Sequence, residues 1–215
     1  GFALTSFNAG AKKFLEDALR SGATPHFDAL SWHPYRRGRL GPEETKVRDE
    51  LKDVRDTIAK YREVPPLWVT EIGWFAPYKF SRPFTPCSNF WIPQRLVSEE
   101  ECARYYTQMA ATCFAYGVEK FLYFTFLEGD MASRWFHGFI GPDGRFVKAV
   151  FFSAAAAVRH MDHAHCLGQD NPFDDLWVTR FERDGRTVAV VWKGAGAVEI
   201  EIAAAEPVAF EDLYG

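Results

Sequence analysis

PPLWVTEIGW, residues 65–74, is the stretch of sequence that decides the fold of the chain. Pro65 and Pro66 end any preceding helix, because proline lacks a backbone N–H and clashes with the preceding turn. The apolar run Leu67–Ile72 that follows is typical of a short strand buried on both faces, as in a parallel sheet. Glu71 is the exception within this run, since a buried carboxylate is costly unless it is paired or functional. The stretch therefore predicts a parallel strand with a carboxylate near its C-terminal end.

Glu71 has two interpretations at this point. Enzymes with an α/β barrel keep their catalytic groups at the C-terminal ends of the parallel strands, and Glu71 occupies such a position. Alternatively, its carboxylate forms a salt bridge with a neighbouring arginine or caps the next helix. The strand alone does not separate the two, so the rest of the chain has to decide.

The composition excludes several classes of function. A chain of 215 residues can bury a sizeable core, either in one large domain or in two small ones. Its formal net charge of −4 gives no basic surface for nucleic acid. No run of about 18 uncharged apolar residues is present, so the sequence predicts no membrane span. Aromatic residues make up 16% of the chain, which suits either a sugar-binding cleft or a dense core.

The cysteines predict neither a metal site nor a disulfide framework. The four residues, Cys87, Cys102, Cys113 and Cys166, form no C-x-x-C pair and do not cluster with histidine at metal-ligand spacing. We expect free thiols, with a disulfide bond to Cys87 left open. Because the chain begins with Gly1 and shows no signal peptide, we expect it to be a piece of a longer protein.

Strand and helix patterns alternate through the first 163 residues. The predicted strands are Phe2–Leu4, Phe27–Tyr35, Leu67–Ile72 and Lys120–Leu127. The predicted helices follow Asn8, open at Pro42 and at the Ser98 capping box, and cover Lys148–Met161. This alternation predicts βαβ units and a parallel sheet. The aromatic loop 75–97 between them is long enough to be functional.

The pattern changes after residue 163 to that of an antiparallel β module. The strand-like runs lie at 177–181, 187–192, 198–202 and 208–213. Asp184-Gly185 separates the first two runs, which is a strong hairpin signal. We therefore divide the chain into an α/β unit, residues 1–163, and a small, truncated β module, residues 164–215.

Four segments together resemble a known family: FDALSWHPY (27–35), PLWVTEIGW (66–74), GVEKFLYFTFLEGD (117–130) and GPDGRFVKAVFFSAAAAVRHM (141–161). In this order and at this spacing they look like the last four βα units of a clan A glycoside hydrolase, closest to the cellulase-like and β-xylosidase/α-iduronidase-like families. The clan consists of retaining enzymes with a (β/α)8 barrel. The final EDLYG resembles the small β-sandwich that often follows such barrels. The resemblance implies an α/β fold, the C-terminal half (strands 5–8) of a TIM barrel followed by a partial antiparallel β module.

The site that the resemblance implies is centred on Glu71, which matches the nucleophile on strand seven. It would attack the anomeric carbon and form a glycosyl-enzyme intermediate. His33 and Tyr35 match the His-x-Tyr at the end of strand six, where the family's residues hold the nucleophile and the sugar. A tyrosine hydroxyl that donates to a carboxylate favours its charged form. The alternative is a histidine satisfied within the core and a tyrosine that packs in a loop.

Four further residues are candidate sugar-binding groups. Trp74 either stacks on a sugar face or packs under the long loop. The family's tryptophan on strand eight is absent, and Phe124 or Phe126 takes its place if the even-numbered residues face inward. Glu128 either binds sugar hydroxyls or is a solvated loop charge. The resemblance implies a carbohydrate substrate, no metal and no cofactor. The sequence leaves the localisation open, with a secreted or periplasmic parent protein under consideration.

The second carboxyl group of a retaining glycosidase is not recognisable in the sequence. Such an enzyme needs two carboxyl groups about 5–5.5 Å apart, and in clan A the acid/base is the glutamate of an Asn-Glu pair on strand four. Asn8, Asn89 and Asn171 are followed by alanine, phenylalanine and proline instead. We therefore expect the acid/base and the missing half of the barrel to lie upstream of Gly1. The isolated chain is then expected to be inactive or nearly so.

Three functions are compatible with these patterns. The first is a piece of a retaining glycoside hydrolase that acts on polysaccharides or oligosaccharides. The second is a non-catalytic carbohydrate-binding relative that lacks the second carboxylate even at full length. The third is another α/β barrel that uses Glu71 as a general base, although no phosphate-binding glycine-rich loop follows the last two predicted strands of the sheet.

Overall fold

A computed structural model describes residues 2–4, 7–35, 41–42, 46–76, 97–128, 137–141, 144–173 and 175–194, with residues 199, 201 and 208–212. Its elements, in chain order, are β1 (Phe2–Leu4), α1 (Ala9–Ala18), β2 (Leu30–Trp32), α2 (Val47–Ala59), β3 (Leu67–Val69), α3 (Glu99–Ala115), β4 (Val118–Phe121), α4 (Ala149–Met161), β5 (His165–Phe173), β6 (Leu176–Arg183) and β7 (Arg186–Lys193). A wide helical turn, Leu19–Ala23, and a 3-10 turn, Thr24–His26, follow α1 directly.

The first four strands form one parallel sheet in the order β1-β2-β3-β4. The pairing of β2 with β3 is regular, with Leu30 opposite Leu67 and Trp32 opposite Val69. A helix separates each strand from the next along the chain, as parallel neighbours require. The predicted α/β fold, a parallel sheet followed by an antiparallel β module, is confirmed.

The two faces of the parallel sheet have different environments. The residues packed against the helices are Leu30, Trp32, Leu67 and Val69, which share one apolar core with residues of all four helices. Ser31, Trp68 and Thr70 alternate with them and are partly exposed. Alternation of this kind follows from the strand geometry, since successive side chains point to opposite faces. We call the side that carries Ser31, Trp68 and Thr70 the accessible face.

The helix ends follow local sequence signals. The Ser98 hydroxyl accepts from the Glu101 N–H at 3.0 Å and the Glu101 carboxylate accepts from the Ser98 N–H at 2.7 Å, which confirms the capping box. Asn8 caps α1 by accepting from the Ala11 N–H at 3.0 Å. Gly117, with φ of 80°, follows α3 in the left-handed region that favours glycine. None of the helices that the structure describes is long and apolar enough to cross a membrane.

The strands are shorter than the sequence predicts. β2 begins at Leu30 rather than Phe27, β3 ends at Val69, and β4 ends at Phe121. Backbone pairing nevertheless continues beyond β4. The Leu122 N–H donates to the Val69 carbonyl and the Phe124 N–H donates to the Ile72 carbonyl, both at 2.8 Å. A register shift between β3 and β4 interrupts the regular ladder, so the apolar runs extend further than the strands.

Two further bounds are corrected. Helix α2 begins at Val47 rather than Pro42, because Lys46 before it is in the left-handed region with φ of 55°. Residues 208–212 form no strand; Glu211 within them instead accepts from Arg159 and His160 of α4, at 2.9 and 2.7 Å. The predicted strand 198–202 and the aromatic loop 75–97 lie mainly outside the described residues.

Strands β5, β6 and β7 form an antiparallel sheet in that order. The predicted hairpin at Asp184-Gly185 is confirmed, since Arg183 pairs with Arg186 across it. Strand β5 was not predicted, because its sequence HCLGQDNPF carries turn-forming residues and its pairing contains two register shifts. Phe181 and Trp192 lie in the same apolar core as the helices. The module therefore packs on the α/β unit, and the division at residue 163 stays a prediction.

Replacing Phe181 with alanine is expected to lower the free energy of unfolding by about 3–5 kcal/mol, because its buried ring belongs to the core shared with the helices. Urea unfolding followed by far-UV circular dichroism and tryptophan fluorescence measures the loss. Phe173→Ala, which truncates an exposed ring on β5, is the control and should change stability by less than about 0.5 kcal/mol. Early unfolding of the β module alone would contradict a shared core.

Candidate active site

Glu71 reaches the accessible face because strand alternation breaks beside it. β3 ends at Val69, and Thr70 and Glu71 are both partly exposed, whereas Ile72 is fully buried. An unbroken strand would point these two successive side chains to opposite faces. Gly73 follows the break because a Cβ atom there would lie 2.4 Å from the carbonyl oxygen of Phe124.

The carboxylate of Glu71 is held by two residues that follow β2. The Tyr35 hydroxyl donates to Oε1 at 2.8 Å, and His33 Nδ1 lies 3.0 Å from Oε2. The side chains of Glu71 and His33 are 30% and 21% exposed, so the carboxylate can be reached from solvent. The structure thus brings together the three residues that the sequence singles out first. These partners take the place of the arginine or helix end considered for Glu71.

Tyr35 acts as a hydrogen-bond donor in this arrangement. Burial raises the pKa of Tyr35 well above its ordinary value, and the hydrogen bond to Glu71 and the carboxylate charge raise it further. An ionised carboxylate only accepts hydrogen bonds, so the phenol proton points at Glu71. The tyrosine is therefore protonated near neutral pH.

Sequence reasoning missed two polar residues next to this group, Ser31 and Thr70. Thr70 Oγ1 lies 2.9 Å from His33 Nε2 and is hydrogen-bonded to the Ser31 hydroxyl. A signal was present in the spacing, because Ser31, His33 and Tyr35 are two residues apart and so share one face of a strand. Thr70 is the neighbour of Glu71 on the accessible face.

The candidate sugar platforms Phe124 and Phe126 follow β4 and are 38% and 61% exposed. The Phe124 ring lies 6.1 Å from His137, whose own ring lies 6.1 Å from Tyr35. The Phe126 ring packs edge-on against Phe139 at 6.3 Å. Phe124 is therefore connected to the Glu71 group through His137, while the role of either phenylalanine stays a prediction.

His137 is a further site residue that the sequence did not reveal. Its buried ring contacts Phe75 at 4.0 Å between centroids and also faces Tyr35. Burial lowers the pKa of His137 to about 4, and the Lys148 ammonium adds to this shift. The ring is therefore neutral near pH 7. His137 belongs to no motif, and only the three-dimensional fold brings it to the site.

Trp74 packs in the core. It is 3% exposed, and its ring lies 5.9 Å from that of Tyr105 in α3. The break at Thr70 and Glu71 shifts the phase of the alternation, so Trp74 falls on the helix side together with Ile72. Trp74 therefore packs against helix α3, which agrees with a packing role rather than with stacking on a sugar. Its buried ring leaves no face open to a sugar.

Glu128 is buried, so its interpretation as a solvated loop charge is wrong. It forms an ion pair with Lys148, and the Lys148 ammonium also donates to the Ala76 carbonyl at 2.7 Å. Burial raises the pKa of Glu128, while the Lys148 ammonium opposes this shift. Both residues lie in segments that carry the family resemblance, but nothing in those segments indicates that they pair, and they are 20 residues apart in sequence. The pair therefore could not be recognised before the fold was known.

Cys102, Cys113 and Cys166 form no disulfide bond, as expected, and Cys87 lies outside the described residues. Within the part of the chain that the structure describes, no group of three or more His, Cys, Asp or Glu residues could hold a metal ion.

Comparison with solved structures shows a likeness of fold to a glycoside hydrolase. A family 39 glycoside hydrolase from the gut symbiont Bacteroides cellulosilyticus WH2 is 19% identical with a TM-score of 0.56, the match covering 87% of this chain and 39% of that one. Two other structures are less similar, and nothing is inferred from them. A GH2 β-galacturonidase from Eisenbergiella tayi is 19% identical with a TM-score of 0.45, the match covering 61% of this chain and 24% of that one. A β-glucuronidase from Ruminococcus gnavus is 18% identical with a TM-score of 0.43, the match covering 69% of this chain and 29% of that one.

The chain spans 39% of the length of the family 39 enzyme that it matches. No protein-family model and no curated protein matches it. The likeness therefore concerns the fold alone, and the function has to be argued from the site.

Replacing Lys148 with methionine is expected to lower the free energy of unfolding by about 3–5 kcal/mol at neutral pH, because it leaves the Glu128 carboxylate buried without its cation. The loss should shrink as the pH falls. The folded-state pKa of the unpaired Glu128 lies above its unfolded value, so stability is lost as pH rises through the folded pKa. Urea titrations at several pH values measure both effects.

Lys52→Met is the control for this charge change. Lys52 forms an exposed pair with Asp56, so its removal should cost less than about 1 kcal/mol. A loss in the Lys148→Met variant that does not depend on pH would show that Glu128 is not left buried as an anion.

Proposed function

We propose that this chain provides the nucleophile side of a retaining glycoside hydrolase, which cleaves O-glycosidic bonds of polysaccharides or oligosaccharides by double displacement. The observation that carries the proposal is the Glu71 carboxylate, partly exposed beyond the end of a parallel strand and held by Tyr35 and His33. The glycoside hydrolase-like fold supports it. In this proposal β1 to β4 correspond to strands five to eight of a (β/α)8 barrel.

Glu71 is the proposed nucleophile. Its ionised carboxylate attacks the anomeric carbon, the bond to the leaving-group oxygen breaks, and a glycosyl ester on Glu71 results. Water then attacks the same carbon and releases Glu71 as a carboxylate. Tyr35 and His33 hold one oxygen each, so the carboxylate is oriented before the sugar binds.

A second carboxyl group has to protonate the leaving group in such a reaction. The chain contains no Asn-Glu pair, and Glu128, the carboxylate that follows β4, is buried against Lys148. We therefore propose that the acid/base belongs to a segment outside these 215 residues, on the other half of the barrel. The isolated chain would then be nearly inactive toward ordinary glycosides.

The carbohydrate is proposed to bind on the accessible face next to Glu71. Phe124 is the proposed ring platform because it is partly exposed and connects to Tyr35 through His137. A phenylalanine face packs against the apolar face of a sugar ring without any hydrogen-bond requirement. No metal or cofactor enters this proposal.

The alternative function is a non-catalytic carbohydrate-binding relative. Binding requires only an aromatic platform and polar groups, which this chain supplies at Phe124 and around Glu71. The two functions differ in whether Glu71 forms a covalent bond to the sugar.

A sugar with a good leaving group separates these functions, because its departure requires no acid. We expect 2-deoxy-2-fluoro-β-glycosyl fluorides of glucose, xylose or galactose configuration to label the chain at Glu71, since the 2-fluoro group slows hydrolysis of the ester. Mass spectrometry of the peptide that contains Glu71 detects the label. Glu71→Gln should abolish labelling, and Glu63→Gln, an exposed carboxylate away from the site, should leave it unchanged. Binding of the sugars without labelling would favour the non-catalytic alternative.

Replacing Tyr35 with phenylalanine is expected to slow labelling by about 10- to 100-fold, because Glu71 loses the donor at Oε1 that orients it. The time course of labelling at fixed reagent concentration measures the rate. Tyr61→Phe, which removes a phenol beyond the end of α2, is the matched control and should label like the wild type. Equal rates for the two variants would exclude a role of the Tyr35 hydroxyl in the reaction.

A further inference from the structure

The polar contacts around Glu71 continue through His33 into the sheet. His33 Nδ1 lies 3.0 Å from the Glu71 carboxylate, and His33 Nε2 lies 2.9 Å from Thr70 Oγ1. Thr70 Oγ1 is in turn hydrogen-bonded to Ser31 Oγ. The register of the strands builds this row, because Ser31 is opposite Trp68 and the residues two positions further on are His33 and Thr70.

The donors and acceptors of this row can be assigned from their chemistry. An ionised carboxylate only accepts, so the contact with Glu71 requires a proton on His33 Nδ1. In a neutral imidazole the other nitrogen is then an acceptor, and the Thr70 hydroxyl has to donate to it. The Thr70 oxygen keeps lone pairs for the Ser31 hydroxyl proton. Every polar hydrogen in the row then has one acceptor.

We infer that Thr70 and Ser31 are positioning residues that hold His33 as the neutral Nδ1–H tautomer with its ring fixed against Glu71. Both ring nitrogens are engaged on opposite sides, so a flip of the ring would break the hydrogen bond to Thr70 and the 3.0 Å contact with Glu71. The opposite arrangement is an imidazolium that donates to Thr70, with Thr70 donating to Ser31. The two arrangements differ in the protonation of Nε2, which is measurable.

The consequence for catalysis rests on the proposed function, whereas the tautomer does not. A neutral histidine presents its Nδ1–H to the nucleophile at 3.0 Å without neutralising its charge. Its orientation is held by the Thr70 hydroxyl, which Ser31 holds in turn. Removing the Thr70 hydroxyl should therefore lower the rate of the reaction, because His33 loses the group that fixes its orientation. Groups that orient a metal-bound histidine act on metal sites in the same indirect way.

Nitrogen NMR of the histidine ring tests the inference on the full chain. The chain is labelled with 15N-histidine, long-range 1H–15N correlations are recorded at mildly alkaline pH, and His33→Gln assigns the signals. We expect a protonated Nδ1 and an unprotonated, hydrogen-bonded Nε2 in the wild type. Thr70→Val, which removes only the hydroxyl, should move the Nε2 resonance toward that of a free pyridine-type nitrogen. Thr70→Ser, which keeps the hydroxyl, should retain the wild-type position.

Three outcomes would overturn the inference: a protonated Nε2 in the wild type, an imidazolium under these conditions, or an Nε2 resonance that is identical in wild type and Thr70→Val. Ser31→Ala removes the far donor of the row and provides a second measurement if Thr70→Val does not fold, with a smaller shift of Nε2 expected. An unchanged Nε2 resonance in Ser31→Ala would then overturn the inference.

The fluoroglycoside labelling rate links the tautomer to the reaction. Thr70→Val should label about tenfold more slowly than the wild type, and Thr70→Ser should restore the rate. Equal labelling rates in the three proteins would overturn the positioning role. No labelling of the wild type, together with the expected tautomer, would remove the proposed function and leave the assignment of His33 supported.

Discussion

The parallel register between β2 and β3 is the constraint on which the candidate site depends. Trp32 lies opposite Val69, and both are buried against the helices. The residues after them, His33 and Tyr35 on one strand and Glu71 on the other, meet only in this register. A slip of one residue would turn the His33 and Tyr35 side chains to the helix side. The apolar core therefore maintains the geometry of polar groups that lie on the other face.

The sequence predicts those features of the site that follow from local spacing. Glu71 is recognisable because it interrupts an apolar run, and the capping box at Ser98 because its hydrogen bonds span three residues. Trp74 could not be placed in this way. The side of the sheet on which it lies depends on the break in alternation at Thr70 and Glu71, and this break has no sequence signature. The partners of Glu128 and His137 are distant in sequence, so only the fold reveals them. Features that depend on the spacing of nearby residues can therefore be predicted from the sequence. Features that depend on a partner distant in sequence, or on a break in the alternation of a strand, cannot.

The buried pair of Glu128 and Lys148 has a structural role beside the site. The Lys148 ammonium also donates to the Ala76 carbonyl, and the Glu128 N–H donates to the Ile140 carbonyl at 2.8 Å. The pair thus joins the segment that ends at Ala76 to the segments around Glu128 and Lys148, which isolated β-bridges connect to each other through Ile140. Burying two charges costs free energy, and the pair fixes the relative positions of the segments that it connects. The position of His137 between Tyr35 and Phe124 depends on these segments.

Strand alternation also separates the requirements of folding from those of function. Leu30, Trp32 and Val69 fill the core, whereas Ser31 and Thr70, each next to one of them in sequence, take part in the polar row. A substitution at either polar position removes a hydroxyl on the accessible face and leaves the apolar core intact. Changes in chemistry on this face are therefore compatible with an unchanged fold, which is why the fold likeness alone does not determine the reaction. The function is inferred from the contacts of Glu71 with Tyr35 and His33 and not from the sheet that presents Glu71.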